Sequence, residues 1–180
     1  MPASTKALDV VDVSQHTSAN FIQQIKDINT AQSATVILVP PNWAFRITLT
    51  ELALKKGGCR FSTNDRSNII SLLNLLNQMD IKKAMHVASS WEPEPREGIY
   101  LTLANGSEVK FLFGQRFADH DTVRGIFSDS SANPAQYITA HESFPQKLLE
   151  WAAATGKPFS KDITDQNSCE EFVKNAIKNN

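Results

Sequence analysis

The densest group of residues that could hold a metal ion is Asp119-His120-Asp121, with His141 and Glu142 further along the chain. Imidazole nitrogens and carboxylate oxygens bind the zinc or manganese ions that activate water for hydrolysis. Such a site needs three or four converging atoms, and none of the histidines has the i, i+4 helical spacing of a zinc-protease pair. We therefore expect a solvated turn without metal. A metal-assisted hydrolase that uses Asp119, His120, Asp121 and His141 is the alternative.

Other potential nucleophiles lack the neighbours that catalysis needs. The serines between positions 128 and 131 are not in the G-x-S-x-G pattern of a hydrolase elbow. Neither of the common glycine-rich phosphate-binding patterns, G-x-G-x-x-G and G-x-x-x-x-G-K-[ST], occurs in the chain. We therefore predict no catalytic residue and no cofactor.

The two cysteines, Cys59 and Cys169, are far apart and lack CxxC spacing, so they indicate neither a zinc site nor a redox motif. Ser168 and Glu171 match a capping box, which places Cys169 at a helix start, where the helix dipole lowers the pKa of a thiol. The adjacent Glu170 and Glu171 oppose that effect. Because buried cysteine behaves as a small hydrophobic residue, we expect two free, mostly buried thiols. A disulfide is the alternative.

The remaining candidate site is the segment 89–97, in which prolines alternate with glutamates after a tryptophan. Such a backbone is extended and cannot join a central strand. Tryptophan and arginine are enriched among the residues that dominate binding energy, and stiffness reduces the entropy lost on binding. The segment is either a partner-binding surface or a connection whose tryptophan folds back onto the core. The residues assigned to the binding surface are Trp91, Glu92, Glu94, Arg96 and Glu97.

Charge and hydropathy exclude several classes of protein. The chain has 18 Lys and Arg against 19 Asp and Glu, so it lacks the positive excess of a general nucleic-acid binder. No apolar run is long enough to span a bilayer, and the N-terminus lacks the pattern of a secretory signal. As the chain stands, we expect a soluble cytoplasmic protein. A mature periplasmic or secreted protein fitted with an initiator methionine is the alternative.

Capping residues and hydrophobic periodicity predict the helices of a single domain over residues 1–180, in which residues 1–16 form a loosely packed N-terminal arm. The first predicted helix is capped by Ser18 and buries Phe21, Ile22, Ile25 and Ile28, and the second is capped by Asn64 or Asp65 and has apolar residues from Ile69 to Met79. The third is capped by Ser143, buries Leu148, Leu149, Trp151 and Ala152, and ends at Gly156. The fourth is capped by Ser168. Apolar residues cover more than half of the second helix, so we expect it to be buried on more than one side.

Runs of β-branched and aromatic residues predict strands at 34–39, 45–50, 123–127 and 137–140, with a turn at Asn133-Pro134. Thr50-Lys56 is open to two interpretations. A capping box at Thr48 and Glu51, followed by Gly57, favours a short helix. The other interpretation extends the preceding strand, turns at 55–58 and returns from Cys59. We favour the strand because so short a helix is marginal.

The segment 98–114 predicts a hairpin with a defined register. A two-residue loop at Asn105-Gly106 would place Leu101 opposite Lys110 and mix charge into the apolar face. A three-residue loop, with Gly106 in the left-handed conformation, instead places Leu101 opposite Val109 and Ile99 opposite Phe111. Four side chains then face outward, namely those of Tyr100, Thr102, Glu108 and Lys110.

Strands and helices occur in clusters, which predicts an α+β fold with a mostly antiparallel sheet and helices packed on one face. Because no catalytic motif is present, the sequence favours a non-catalytic protein-binding domain, such as a bacterial-type inhibitor, immunity-type or accessory protein. Its acidic, aromatic 91–97 segment would suit a partner protein with a basic surface patch. The alternatives are the metal-assisted hydrolase and a small-ligand sensor domain.

Overall fold

The structure of the protein is a computed structural model that describes residues 20–39, 49–84, 94–116, 122–130, 134–155 and 163–178. Within these residues, seven strands form a single sheet in the order β2-β1-β4-β5-β6-β7-β3, and every neighbouring pair is antiparallel. The strands are β1 (Ser33–Leu38), β2 (Cys59–Thr63), β3 (Lys82–Lys83), β4 (Glu97–Thr102), β5 (Glu108–Arg116), β6 (Thr122–Asp129) and β7 (Gln136–His141).

Five α-helices accompany the sheet in the part of the chain that the structure describes, so the predicted α+β class is confirmed. They are α1 (Phe21–Gln24), α2 (Glu51–Gly57), α3 (Arg66–Gln78), α4 (Phe144–Thr155) and α5 (Ile163–Lys178), and a 3-10 turn covers Ile28–Thr30. Side chains from α1, α3, α4 and α5 share one continuous core with alternate residues of the strands, including Ile99, Phe111 and Phe113. This core lies on one face of the sheet. In the described part of the chain, no helix has the length and apolar character needed to cross a membrane.

The register predicted for the β4–β5 hairpin is confirmed. Leu101 pairs with Val109, Ile99 pairs with Phe111, and Gly106 has a φ of 82°. The loop closes where the Leu103 N–H donates to the Ser107 carbonyl at 2.9 Å. One detail differs from the prediction, because Tyr100 is buried although it faces away from the main core.

Tyr100 is buried because helix α2 covers part of the second face of the sheet. The strand favoured for Thr50-Lys56 is therefore wrong, and the return strand from Cys59 is correct. Thr50 caps α2 by accepting a hydrogen bond from the Ala53 N–H at 3.2 Å. The sequence signals of helix and strand were balanced here, and the burial of Leu54 in a second apolar cluster accounts for the helix. That cluster contains Ile37, Val39, Leu49, Leu54, Tyr100 and Leu112.

Two predicted helix starts are wrong. Asn20, and not Ser18, caps the first helix, which ends after one turn, although its predicted apolar residues are all buried. Helix α5 begins at Ile163, so Ser168 and Cys169 lie inside it. In both cases a local capping pattern was a weaker signal than the packing of the surrounding chain.

The predicted positions of helices α3 and α4 are confirmed. Asp65 caps α3 by accepting hydrogen bonds from the Ser67 and Asn68 N–H groups, and α4 begins directly after Ser143. Helix α3 was predicted to be buried on more than one side, but it is buried on one side only among the described contacts, since Ile70 is 43% exposed. The α3 residues that face the core are Ile69, Leu72, Leu73 and Leu76.

The prediction of two free thiols is wrong, because Cys59 and Cys169 form a disulfide between β2 and α5. Their Cα atoms lie 5.6 Å apart, and both residues are completely buried. The prediction treated burial as typical of a free thiol, and the burial itself is correct, but two buried cysteines that meet in the fold can equally form a disulfide.

Several predictions lie outside the described residues. These are the N-terminal arm at 1–16, the first part of the strand at 45–50, Asn133 of the Asn133-Pro134 turn, and the end of α4 at Gly156.

Candidate partner-binding surface

Helices α3 and α4 lie side by side and enclose an open groove of about 540 Å³ between them. The indole of Trp151 fixes the two helices to each other, because its Nε1–H donates to the Asn68 carbonyl at 3.1 Å. The described residues that line the groove are Ser67, Asn68, Ile70, Ser71, Asn74, Leu75, Gln78, Lys147, Glu150, Trp151, Ala154 and Thr155. We call this feature the α3–α4 groove.

The sequence positions of α3 explain why apolar residues reach the groove. Residues at i, i+3, i+4 and i+7 from Ile69 form the stripe that packs on the sheet. Ile70 lies one position further around the helix, and Asn74 and Gln78 follow it at i+4 and i+8. Leu75 is half-buried and lines the groove together with Ile70, Asn74 and Gln78. The groove thus has an apolar floor beside a row of amide side chains.

The polar lining of the α3–α4 groove is mostly uncharged. In the described lining, the charged residues are Lys147 and Glu150, which form an ion pair with each other at 3.1 Å. The remaining polar groups are hydroxyls and amides, and the described lining contains no histidine, cysteine or aspartate.

The sequence did not identify this surface, because every apolar residue of α3 was assigned to the core. A usable signal was present in the chain. Ile70 is followed at i+4 and i+8 by Asn74 and Gln78, whereas the core residues Ile69, Leu72, Leu73 and Leu76 follow one another at i+3 and i+4. An apolar residue on an otherwise polar helical face is a candidate for an exposed contact.

Of the residues predicted to bind a partner, Trp91 and Glu92 lie outside the described part of the chain. Glu94 and Arg96 are half-buried and approach the end of the sheet. The Arg96 N–H donates to the Phe113 carbonyl at 2.8 Å, and its carbonyl accepts from the Val39 N–H at 3.0 Å. Glu97 is the first residue of β4 and is only 5% exposed, so it presents almost no surface to a partner.

Gly114 allows the end of the predicted binding segment to lie against the sheet. A Cβ atom at position 114 would approach the Glu94 carbonyl oxygen to 2.3 Å, which is too close for any side chain. The contact is with backbone, so a side-chain rotation could not relieve it. The segment is therefore anchored at its C-terminal end, at Glu94 and Arg96.

The buried Glu97 lines a second, smaller cavity of about 160 Å³. The other described lining residues are Leu38, Val39, Glu142, Pro145, Gln146, Leu149 and Phe172. Pockets for small organic ligands usually measure about 300–1,000 Å³. The volume of this cavity lies below that range, and the volume of the α3–α4 groove lies within it.

The predicted alternative metal site is only partly covered by the structure. His141 is exposed, and its Nδ1 shares a hydrogen bond of 2.8 Å with the Ser143 hydroxyl. Asp119, His120 and Asp121 lie outside the described residues. Within the residues that are described, no three metal-binding side chains come together.

A charged network joins α2 to the second face of the sheet. Glu51 accepts hydrogen bonds from Lys110 at 2.8 Å and from the Tyr100 hydroxyl at 3.2 Å, and Lys55 is 3.3 Å away. The Lys55 Nζ also lies 4.5 Å from the centre of the Tyr100 ring. These contacts join α2 to strands β4 and β5.

The ionisation states in this network follow from burial and neighbouring charge. Partial burial raises the pKa of the Glu51 carboxyl, but the hydrogen bonds and positive charges of Lys110 and Lys55 outweigh it and hold that pKa below its usual value. Burial and the adjacent Glu51 carboxylate raise the pKa of Tyr100. At neutral pH the Glu51 carboxyl is therefore ionised and the Tyr100 phenol is neutral.

Comparison of the chain with protein-family models, curated proteins and solved structures found no significant match.

Proposed function

We propose that this protein is a non-catalytic binding domain that acts by holding a partner protein, as inhibitor, immunity-type and accessory proteins do. The observation that carries the proposal is the α3–α4 groove, whose floor includes the 43% exposed Ile70. Apolar side chains in a concave site with a polar rim are typical of protein contacts. A partner side chain of aliphatic or aromatic type would fill the floor.

The rim of the groove supports a neutral polar partner segment. The hydroxyls and amides along α3, at Ser67, Ser71, Asn74 and Gln78, can donate and accept hydrogen bonds without imposing a charge. Trp151 forms a firm wall, since its Nε1–H is already bonded to Asn68. Firm walls reduce the entropy that is lost when a partner binds.

The predicted segment from Trp91 to Arg96 is proposed as a second contact with the same partner. Its glutamates, Glu92 and Glu94, would steer it toward a basic surface patch, while the indole of Trp91 would supply apolar contact area. Glu97, which is buried, is not included in this proposed contact.

The groove is tested by comparing two charge substitutions at exposed apolar positions. Ile70→Glu places a carboxylate on the groove floor, and Leu52→Glu places one on α2, where Leu52 is 62% exposed. The wild-type chain is used to capture proteins from an extract of its native cells, and the captured proteins are identified. Each of them is then purified, and its affinity for the wild-type chain and for both variants is measured directly. We expect at least tenfold weaker affinity for Ile70→Glu and unchanged affinity for Leu52→Glu. A partner that binds both variants equally well would refute the groove as its site.

The contact at 91–96 is tested with that purified partner by measuring both rate constants. Trp91→Ala should speed dissociation, whereas Glu92→Lys with Glu94→Lys should slow association and reduce its dependence on salt. If Trp91→Ala unfolds the protein and leaves the affinity of the folded fraction unchanged, Trp91 belongs to the core and the segment is not a contact.

A further inference from the structure

Helix α5 is joined to the rest of the fold by packing and by one covalent bond. It spans Ile163–Lys178 and packs on α4 and β2. Among its side chains that the structure describes, Cys169 and Val173 are buried and Phe172 is half-buried, while Glu171 and Lys174 are exposed. One of these buried residues, Cys169, forms the disulfide to the sheet. The covalent bond and the packing thus both hold α5 on β2.

The other half of the disulfide is held firmly in the sheet. Cys59 begins β2 and pairs with Leu38, within an antiparallel register that continues to the Ala34 and Thr63 pair. Both cysteines are completely buried, so a reductant cannot reach either sulfur while α5 is docked. Movement of α5 would disrupt fewer contacts than removal of β2 from the sheet.

We propose that α5 is a redox-controlled element, locked onto β2 by the Cys59–Cys169 disulfide and released when a dithiol reduces it. A thiolate of the dithiol attacks one sulfur during a transient opening of α5, and the departing cysteine thiolate takes up a proton. The second thiol of the reductant then displaces the other cysteine. The products are two cysteine thiols and one cyclic disulfide of the reductant, so two electrons pass to the protein.

Release of α5 has a defined structural consequence. Phe172 of α5 forms one wall of the 160 Å³ cavity that is also lined by Glu97 and Leu149. Departure of α5 removes that wall and lets water reach the buried Glu97 side chain. The reduced state therefore exposes an apolar and acidic surface that the oxidised state covers.

The test measures how fast dithiothreitol reduces the native full-length chain at increasing urea concentrations. Samples are quenched with a thiol-alkylating reagent, and the reduced fraction is read from the mass. The dependence of the opening on urea reports how much surface the opening exposes. We expect a slope well under half of that for global unfolding, because only one helix detaches. A slope equal to that of global unfolding would overturn the proposal.

Hydrogen exchange of the reduced protein identifies the part that has opened. We expect amides of α5 to lose protection at least tenfold while those of β4, β5 and β6 keep theirs. The double variant Cys59→Ala with Cys169→Ala should show the same pattern without any reductant. Retained protection of α5 in both samples, or loss of protection throughout the domain in both, would show that α5 is not a separately released element.

A matched pair of single substitutions tests the assignment of the opening to α5 while keeping the disulfide. Val173→Ala weakens the packing of α5 and should speed reduction of the native protein several-fold. Ile70→Ala alters an exposed residue of α3 and should leave the reduction rate unchanged. Equal rates for Val173→Ala and the wild-type protein would contradict control by α5.

Discussion

Two glycines with equally open surroundings differ in backbone conformation, and this difference predicts opposite effects of the same substitution. No atom lies within 4 Å of a Cβ built on Gly57 or on Gly106. Gly57 ends α2 without a positive φ, whereas Gly106 has a φ of 82°. Gly57→Ala should stabilise the protein by about 0.5 kcal/mol, and Gly106→Ala should destabilise it by about 1–2 kcal/mol.

Urea unfolding of the two alanine variants measures both values, and each variant serves as the control for the other. An equal loss of stability in both variants would show that φ does not govern the effect of alanine at these positions. The hairpin prediction made from the sequence depends on Gly106 in the same way, because the three-residue loop requires one residue in the left-handed conformation.

The Glu51 carboxyl predicts an acid-sensitive contribution to stability. Its pKa in the folded protein is held below the usual value, which is close to its value in the unfolded chain. The contribution is therefore complete above the ordinary carboxyl pKa of about 4.3 and is lost as the pH falls through the folded value. Because Glu51 is 28% exposed, we expect no more than about 1 kcal/mol.

The stability difference between wild type and Glu51→Gln, measured by urea unfolding at pH 7 and at pH 3, checks this sign. The wild-type protein should be the more stable at pH 7, and the difference should shrink at pH 3. Lys110→Met should weaken the same pH dependence, since Lys110 is one of the two cations that lower the pKa. A difference that is constant with pH would contradict the assignment.

Sequence alone did not predict this network, because its members are far apart in the chain. Glu51 and Lys110 are separated by 59 positions and meet only because α2 folds over β4 and β5. With Thr50-Lys56 assigned to a strand, Glu51 had no reason to approach Tyr100. The wrong assignment of one short element thus left a whole set of side-chain contacts out of the prediction.

At the scale of the secondary-structure elements, we predict that alanine substitutions at two positions of α3 change the stability of the protein by very different amounts. Leu76 is completely buried, and Ile70 is 43% exposed in the α3–α4 groove. Leu76→Ala should cost about 2–5 kcal/mol through lost burial and a residual cavity. Ile70→Ala should change stability by about 0.5 kcal/mol or less, as exposed substitutions usually do.

Chemical denaturation of Leu76→Ala and Ile70→Ala tests the orientation of α3. A loss under about 1 kcal/mol for Leu76→Ala would place the helix at the surface. A large loss for Ile70→Ala would mean that this side chain is part of the core, and the α3–α4 groove would then lose its apolar floor.

Elements with strong local signals were predictable, and those decided by tertiary packing were not. The Asp65 cap and the long apolar periodicity fix α3, and alternation with a turn glycine fixes the β4–β5 hairpin. Helix α2 has only seven residues, and the burial of Leu54 decides its conformation. The α3–α4 groove was missed because periodicity locates apolar residues on a helix without showing which of them a neighbouring helix leaves uncovered.

At the scale of the whole molecule, the layered α+β arrangement followed from the clustering of strands and helices, whereas the covalent cross-link did not. Cys59 and Cys169 are 110 positions apart, and the segment between them contains most of the sheet, α3 and α4. Only the complete topology brings α5 back to β2. A pair of cysteines without a short spacing carries no such information in the sequence.

The position of the disulfide predicts a large effect on global stability. Cross-linking residues 110 positions apart restricts the unfolded chain, and the chain-entropy model gives about 4.7 kcal/mol for loops of about 100 residues. Cys59→Ala with Cys169→Ala should therefore lower the free energy of unfolding by about 2–5 kcal/mol, the usual range for loss of a native disulfide. Urea unfolding without reductant, followed by the fluorescence of the tryptophans, measures the loss.

Val173→Ala separates this covalent contribution from the packing of α5. It removes buried methyl groups beside the disulfide while keeping the cross-link, and it should cost about 1–2 kcal/mol. The double cysteine variant should lose clearly more than that, because its unfolded state regains the freedom of the long loop. If the two losses are equal, the disulfide acts only as buried apolar volume, and neither the stability of the domain nor the docking of α5 depends on the bond itself.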